Sequence, residues 1–437
     1  MMRFAVLALV ALALLAACVA PSSRPEGPRQ ITLVYSGNLD GELEPCGCSE
    51  GGNKGGIKRR AQQIDTLRRQ QPELFLISAG GLLVSEMPQD KLKSEYILKG
   101  LAQLDYDAIG VQWQDLAFGV DFLTREGLPL VASNWRGEGL AHSRLVRKAG
   151  VELAFFQWLD PQADPQRAMG EPLVSDDPAS LGGRLRAAKQ AGQVTVLATT
   201  LPLEQAQRLF PLQWVDVLLI KARYEYFGEP QRLGDTLVLQ PGSRGMRLGR
   251  VELTLDEAGR IVSWRHEVIP LPPEVGDAPR MQAWYDDYNA QVKAAYQRQV
   301  ALRKQLMSGD SPYAGERACE SCHREIHDIW FDSRHAEAFY ALQDVNKAFD
   351  PDCIACHTVG FGRQGGFIDP ALTPDLMHVQ CESCHGPARA HVDSGGKTPV
   401  ANAHWRPEAM CAQCHVQKHS PDFDFSRYWP RIAHGGK

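Results

Sequence analysis

The first two thirds of the chain alternate short apolar runs with amphipathic stretches. Runs rich in Val, Ile and Leu are typical of buried strands, and they cover Ile31–Tyr35, Leu74–Ser78, Ala108–Val111, Leu128–Ala132, Val151–Phe156, Val194–Thr200, Val215–Ile220 and Thr236–Gln240. Helical spacing occurs between them in Ile57–Gln70, Asp90–Leu104 and Ala179–Ala191. Arg250–Leu255 and Ile261–Ile269 flank a turn and predict a closing hairpin. This alternation predicts α/β layers.

A long helical pattern follows, with apolar or aromatic residues every three or four positions from Met281 to Leu306. It predicts a helix that packs one stripe on a neighbour, and Gly309–Pro312 ends it. The segments after it show few sustained apolar periods. We therefore predict, in chain order, a leader (1–17), a tether (18–30), an N-terminal part (31–275), a linker helix (276–309) and a C-terminal part (310–437).

The amino terminus has the pattern of an export signal. Arg3 precedes an apolar run from Phe4 to Ala17, which is too short to span a bilayer comfortably. Small residues then lead to Cys18, and this resembles the bacterial lipobox, in which the cysteine is lipidated. Because Val19 is not Asp, we expect an exported lipoprotein of the periplasm, anchored in the outer membrane. A plain cleaved signal, with Cys18 incidental, is the alternative.

Composition removes several classes of protein. Of 437 residues, 44% are hydrophobic and 23% charged, which excludes wholesale disorder and a polytopic membrane protein. The net charge of −5 lacks the basic excess of a nucleic-acid binder, so no nucleic-acid partner is expected. Residues 310–437 hold 12 basic and 17 acidic residues, which leaves 35 of each in the rest of the chain. All of the net charge therefore lies in the C-terminal part.

Four segments of the C-terminal part read C-x-x-C-H. The paired cysteines are Cys319 and Cys322, Cys353 and Cys356, Cys381 and Cys384, and Cys411 and Cys414. Each pair is followed at once by its histidine, namely His323, His357, His385 and His415. Two thiols at this spacing add to the two vinyl groups of one porphyrin, and the histidine reaches the iron. Paired C-x-x-C motifs also make zinc ribbons, but zinc does not require a histidine after every second cysteine.

The motifs thus predict four covalent c-type haems, which would supply most of the core of this part. Their sequence context resembles the tetrahaem cytochrome c-554 family at Tyr313–His323, Ser333–His335, Val379–His391 and Pro421–His434. By that resemblance His335, His391 and His434 are distal iron ligands, and His378 is the next candidate. His327, His404 and His419 are then surface residues or partners of haem propionates. In one member of the family a haem lacks a distal ligand, and the number of histidines here permits either state.

Closely spaced haems with two histidine ligands pass electrons rather than bind substrate. We therefore expect an electron carrier with no catalytic residues. Its partners would be other redox proteins, either cytochromes or a quinol-linked or terminal reductase system, and the membrane through its lipid. One alternative is a haem enzyme with an open iron position that acts on a small nitrogen or oxygen species. Another is a structural subunit of a larger cytochrome assembly.

The N-terminal part resembles the calcineurin-like metallophosphoesterases, especially the 5′-nucleotidase branch. The landmarks are Ile31–Gly41, Leu76–Gly81, Asp107–Gly119 and Gln240–Arg250. The resemblance implies a four-layer α/β sandwich, followed here by the linker helix and a mostly α-helical multihaem part. Its metal ligands are missing, because Asn38, Asp40, Gly81, Trp113 and Gln114 stand at ligand positions and Lys221–Tyr224 contains no histidine.

A two-metal phosphoesterase site needs histidines and bridging carboxylates, so we expect a catalytically dead fold that serves as a scaffold or docking surface. An all-oxygen site built from Asp40, Glu42 and Asp115 remains open, as does a working phosphoesterase regulated by haem.

A glycine-rich loop carries Cys46 and Cys48 as C-x-C. No histidine follows, so the loop is not a haem site. It predicts either a redox pair or soft-metal site beside the old cleft, or a loop anchor or strained structural disulfide.

Overall fold

A computed structural model describes residues 28–45, 53–86, 90–221, 227–306, 310–416 and 419–434. The predictions that concern the leader, Cys18, Cys46 and Cys48 lie outside these residues. Within them, no helix has the length and apolar character needed to cross a bilayer.

In the residues that the structure describes, twelve strands form two sheets. In chain order they are β1 (Arg29–Ser36), β2 (Phe75–Ser78), β3 (Ala108–Gly110), β4 (Leu130–Val131), β5 (Arg144–Lys148), β6 (Val151–Trp158), β7 (Val194–Thr199), β8 (Val217–Ile220), β9 (Gly228–Leu233), β10 (Thr236–Gln240), β11 (Arg247–Leu255) and β12 (Ile261–Pro270). The first sheet has the order β12-β11-β1-β2-β3-β4, and the second has β5-β6-β7-β8-β10-β9. Strands β1 to β4 run parallel, whereas β11 pairs antiparallel with both β1 and β12.

The two sheets pack face to face. Because side chains alternate along a strand, Leu33 and Tyr35 of β1 point towards the second sheet and Val34 points away from it. Phe155 of β6 and Val196 of β7 belong to the same buried layer as Leu33. Strands covered on both faces are expected to be mostly apolar, and β8, which reads VLLI, is wholly so.

Helices cover the two outer faces. The N-terminal part contains α1 (Ile57–Gln70), α2 (Asp90–Ala102), α3 (Val120–Thr124), α4 (Pro178–Gln190) and α5 (Leu203–Leu209). Ile57 and Ile64 of α1 pack with Val34 on the first sheet, while Leu181 and Leu185 of α4 pack on the second. The layers therefore run helix, sheet, sheet, helix, which confirms the predicted four-layer α/β sandwich.

Helix α6 (Gln282–Leu306) joins the two parts of the chain. Trp284 and Tyr288, in its first half, are buried with the first sheet and its helices. Tyr296, further along, belongs to a separate buried cluster in the C-terminal part. The predicted apolar stripe therefore packs on both parts.

The C-terminal part is helical but has a small apolar core. Its helices are α7 (Arg317–Glu320), α8 (Arg324–Phe331), α9 (Ala338–Asp344), α10 (Pro351–His357), α11 (Cys381–His385), α12 (Arg389–Asp393), α13 (Pro407–Cys411) and α14 (Phe425–Tyr428). The buried cluster contains Tyr296, Tyr313, Phe339, Leu342, Ile354, Val359, Phe367 and Leu376. Large apolar side chains stay exposed elsewhere in this part, namely Ile329, Phe331, Tyr340, Val345, Trp405 and Val416. This part, less than a third of the chain, holds six of the eleven exposed large apolar side chains among the described residues, and such a surface would suit apolar cofactors.

Trp284 is expected to anchor α6 to the N-terminal part. Its indole N–H donates to the carbonyl of Tyr96 over 3.0 Å, and a Cβ on Gly100 would lie only 2.7 Å from its ring. We predict that Trp284→Ala lowers the free energy of unfolding by about 3 kcal/mol, through a cavity and an unpaired carbonyl. Urea unfolding followed by circular dichroism measures this change. Leu302→Ala, on the same helix with a half-exposed side chain, is the control, and equal losses in the two variants would contradict the assignment.

Candidate haem sites

Each C-x-x-C-H motif lies on a helical turn. Helix α11 contains the whole of Cys381–His385, and α10 ends at His357. In the first and fourth motifs, the backbone N–H of His323 donates to Cys319 O over 2.9 Å and that of His415 donates to Cys411 O over 2.8 Å. Residues three and four apart share one helix face. Each motif therefore presents two thiols and an imidazole on one side, which fits covalent attachment of a porphyrin.

The structure brings three motif histidines to the three first-ranked distal candidates. The ring centroids of His323 and His391, and those of His335 and His415, are 6.2 Å apart. The centroids of His385 and His434 are 5.6 Å apart. With metal–nitrogen bonds of about 2 Å, two axial imidazoles on one iron place their centroids roughly 6 Å apart. The separations of the first two pairs fit iron between the rings. Nε2 of His385 and Nε2 of His434 lie 3.4 Å apart, so this pair would have to part by about half an ångström to admit iron with bonds of about 2 Å.

Hydrogen bonds at Nδ1 orient several of these rings. Nδ1 of His391 lies 2.7 Å from the carbonyl oxygen of Thr398, and Nδ1 of His357 lies 2.6 Å from that of Ala338. An Nδ1–H that donates to a carbonyl leaves the lone pair on Nε2, the nitrogen that would bind iron. Burial also lowers the pKa of His335, and a neutral imidazole is the form that ligates metal.

His357 has no opposing imidazole among the four distal candidates, which are His335, His391, His434 and His378. Three of them face the other motif histidines. The fourth, His378, is held elsewhere, because its Nδ1 accepts the backbone N–H of Phe339 over 3.2 Å and its ring meets that of Tyr340 edge-on. The structure therefore does not place His378 opposite a motif histidine.

The remaining histidines lie at other places. His327 hydrogen-bonds the carboxylate of Glu316 over 2.6 Å, and His404 is exposed. A hydrogen bond with Cys414 is the main cause that lowers the pKa of the Cys356 thiol, and the nearby charge of His419 lowers it further. Of these three, His419 is thus the one near the motif of His357.

The attachment thiols follow one another in space. Those of Cys319 and Cys381 are in hydrogen-bonding contact, which joins the first and third motifs. Cys384 has Cys411 as a charged neighbour, which places the third motif beside the fourth. Cys414 contacts Cys356, which joins the fourth and second. Thiols of the first motif thus neighbour those of the third, and thiols of the fourth neighbour those of both the third and the second.

The strand ends of the N-terminal part carry amides where a metal site would need ligands. Asn38 donates to Asp40 over 3.0 Å, Gln112 donates to Asn38 over 3.0 Å, and Gln114 donates to Asp40 over 3.3 Å. Trp113 points away and donates to the carbonyl of Asp160. Sequence reasoning missed Gln112, which lies one position before the matched pair.

The carboxylates proposed for an all-oxygen site are engaged elsewhere. Asp115 is fully buried and accepts the backbone N–H groups of residues 81, 82, 83 and 112 over 2.5 to 3.1 Å. Burial raises the pKa of Asp115 to about 6, although these donors pull it down. Glu42 pairs with the guanidinium of Arg244 over 3.5 Å. In the ranges that the structure describes, no three His, Cys, Asp or Glu side chains converge as a metal site.

Comparisons with known proteins bear out the two resemblances. The family model of cytochrome c554 and c-prime matches residues 318–386. Cytochrome c-554 of Nitrosomonas europaea is 33% identical over an alignment of 143 residues, which covers 26% of this chain and 61% of that protein. The match therefore spans less than two thirds of the relative.

Solved structures resemble this chain in fold. The 5′-nucleotidase precursor of Thermus thermophilus superposes with a TM-score of 0.53 and 17% identity, over 72% of this chain and 68% of that chain. Sulfate thiohydrolase SoxB of Thermus thermophilus superposes with a TM-score of 0.50 and 16% identity, over 65% of this chain and 63% of that chain. At such identities the likeness shows the fold alone. The N-terminal part thus resembles the metallophosphoesterases, and the C-terminal part resembles the c-554 cytochromes.

Gly81 stands where the metallophosphoesterase pattern has an aspartate, and Asn38 leaves no room for one. A Cβ on Gly81 would lie 2.4 Å from Cγ of Asn38, and φ is +73°. We predict that Gly81→Ala lowers the free energy of unfolding by about 1–3 kcal/mol more than Gly127→Ala does. Gly127 has φ +67° and nothing within 4 Å of its Cβ position, so that variant isolates the backbone cost. Equal losses in chemical denaturation would show that the space beside Asn38 is not filled.

Removal of a distal histidine tests the pairings. We predict that His391→Ala converts one low-spin haem to the high-spin state, because the iron bound by His323 loses its second imidazole. Absorption and EPR spectra of the holoprotein measure the conversion. His404→Ala, which alters an exposed histidine, is expected to leave the spectra unchanged. An unchanged spectrum of the His391 variant would remove that residue from the ligand set.

Proposed function

We propose that this chain is an exported cytochrome that carries four covalent c-type haems and passes electrons along them. The observation that carries the proposal is the placement of three motif histidines opposite His335, His391 and His434 at separations near those that an iron would require. Bound haem supplies one-electron oxidation and reduction. The row of neighbouring thiols supports transfer from site to site.

The residues of this chain have definable tasks in that function. Each cysteine pair would hold the edge of a porphyrin, and the adjacent histidine would bind its iron. At three sites the opposing histidine would be a second ligand, and those sites would then leave no place for a substrate. Carbonyl partners at Nδ1, as at His391 and Thr398, keep the ring planes fixed.

Export and anchoring complete the proposal. Residues 1–17 would direct export and Cys18 would carry the lipid of an outer-membrane lipoprotein in the periplasm. Export is supported by covalent haem attachment, which takes place outside the cytoplasm. As a separate feature, the net charge of the whole chain lies in the C-terminal part. That acidity suits a basic redox partner, either a cytochrome or a component of a quinol-linked or terminal reductase system, in a small transient interface.

The N-terminal part would act as a scaffold or docking surface rather than as a hydrolase. Amides hold the positions of metal ligands, and Asn38 occupies the space of the missing aspartate. Release of phosphate from a nucleotide by the purified protein with added Mn²⁺ would contradict this role.

One observation favours a second function, that of a haem enzyme acting on a small nitrogen or oxygen species. None of the four distal candidates faces His357, so its iron would keep one axial position for an external ligand. Turnover of such a species, and not binding alone, would place this function ahead of the carrier.

We predict four haems per chain, of which three are low-spin and one is high-spin and binds nitric oxide or cyanide. The physical reason is that three motif histidines have a distal candidate opposite them and His357 does not. Haem content is measured as the pyridine complex, and spin state by EPR with and without added ligand.

The outcomes separate the two functions. Four low-spin haems indifferent to added ligand would refute the open site but keep the carrier, and they would assign the fourth distal position to a residue such as His419, near Cys356. Fewer than four haems would refute the proposal.

A further inference from the structure

The second haem motif lies against the N-terminal part. Helix α10, which holds Cys353, Cys356 and His357, begins at Pro351, and its N-cap Asp350 accepts the backbone N–H of Asp352 over 3.1 Å. The side chain of Asp352 pairs with Lys93 of α2. Both partners of this ion pair are largely buried, at 13% and 18% exposure. The helix that carries the second motif is therefore joined at its first turn to the sandwich.

A second ion pair crosses the same boundary. Lys347, six residues before Cys353, pairs with Glu44 of the loop that follows β1. The ammonium also donates to the side-chain oxygen of Asn289 on α6 over 2.9 Å, and the hydroxyl of Tyr285 donates to Glu44. Lys347 is only 11% exposed. Asp350, on the C-terminal side, lies 3.8 Å from the same ammonium. The contacts with Glu44 therefore add a negative charge from the N-terminal part to this buried cluster, where water screens it weakly.

Both charges reach the attachment site. Burial raises the pKa of the Cys353 thiol most; among the surrounding charges Asp350 raises it next, Lys347 lowers it, and Glu44 and then Asp352 raise it. Glu44 belongs to the N-terminal part, whereas Lys347 belongs to the C-terminal part. The sulfur of Cys353 would be bonded directly to the porphyrin, so a charge that acts on this sulfur also acts on the haem.

We propose that the N-terminal part sets the reduction potential of the haem at Cys353 and Cys356 through the buried charge pair of Glu44 and Lys347. This inference rests on the proposed function. Reduction adds one electron, supplied by a redox protein, and turns ferric iron into ferrous iron. A nearby carboxylate opposes the added negative charge and lowers the potential, while an ammonium favours it and raises the potential.

The pair therefore has a definite role in the row of haems. Lys347 alone would make the haem at Cys353 and Cys356 easier to reduce, and Glu44 offsets that effect. The sandwich would thus supply a fixed charge that sets the reduction potential of one haem. This role does not require a metal site in the sandwich. The c-554 match covers residues 318–386 and does not include Glu44.

The test is a charge cycle on the full holoprotein, followed by spectroelectrochemical titration of all four haems. Glu44→Gln is expected to raise one midpoint potential, and Lys347→Gln is expected to lower the same one. At the wild-type midpoint, each change corresponds to on the order of a tenfold shift in the ratio of oxidised to reduced haem, or about 59 mV for one electron. The double variant is expected to return close to the wild type.

The signs separate a charge effect from a structural one. Loosening of the junction would shift the midpoint potential in the same direction in both single variants. The two shifts would then add up in the double variant. Glu73→Gln, an exposed carboxylate of the same part, is the matched control and is expected to move nothing. Four haems with unmoved midpoints, or two shifts of the same sign, would overturn this inference alone. Absence of a haem at Cys353 and Cys356 would overturn both this inference and the proposed function.

Discussion

The facing of imidazoles in three pairs is the geometric feature on which the proposed haem sites depend. The three pairs of histidines, each drawn from distant segments, have ring centroids 5.6 to 6.2 Å apart, near the separation that axial ligation of one iron would require. Few buried side chains would otherwise hold these short helices together, and several large apolar side chains remain exposed around them. Haem iron and porphyrin would thus do in this part what an apolar core does in the sandwich.

The strand-end loops of the N-terminal part are held by a buried carboxylate and by amides. Asp115 accepts four backbone N–H groups, and Gln112 donates to Asn38 over 3.0 Å. These contacts fix the loops through side chains of the chain itself, and the sandwich to which they belong is the body that we propose as a support for the haem row.

The sequence predicts the sandwich well where strands are buried on both faces, because an apolar run such as that of β7 has a single interpretation. It misses the edge strands β5 and β9, since their residues are polar and exposed and pair on one side only. The motifs identify the eight attachment cysteines, but spacing cannot say which histidine faces which. Nor can it reveal that Glu44 meets Lys347, because these residues are 303 positions apart and neither lies in a motif.

The most direct test of this account is a crystal structure of the holoprotein with anomalous diffraction measured at the iron edge. Four iron peaks are expected in the anomalous map. Three lie between His323 and His391, between His335 and His415, and between His385 and His434, and the fourth lies at His357, nearest to Glu44 and Lys347. Fewer peaks, different pairs, or a His357 iron remote from the sandwich would contradict it.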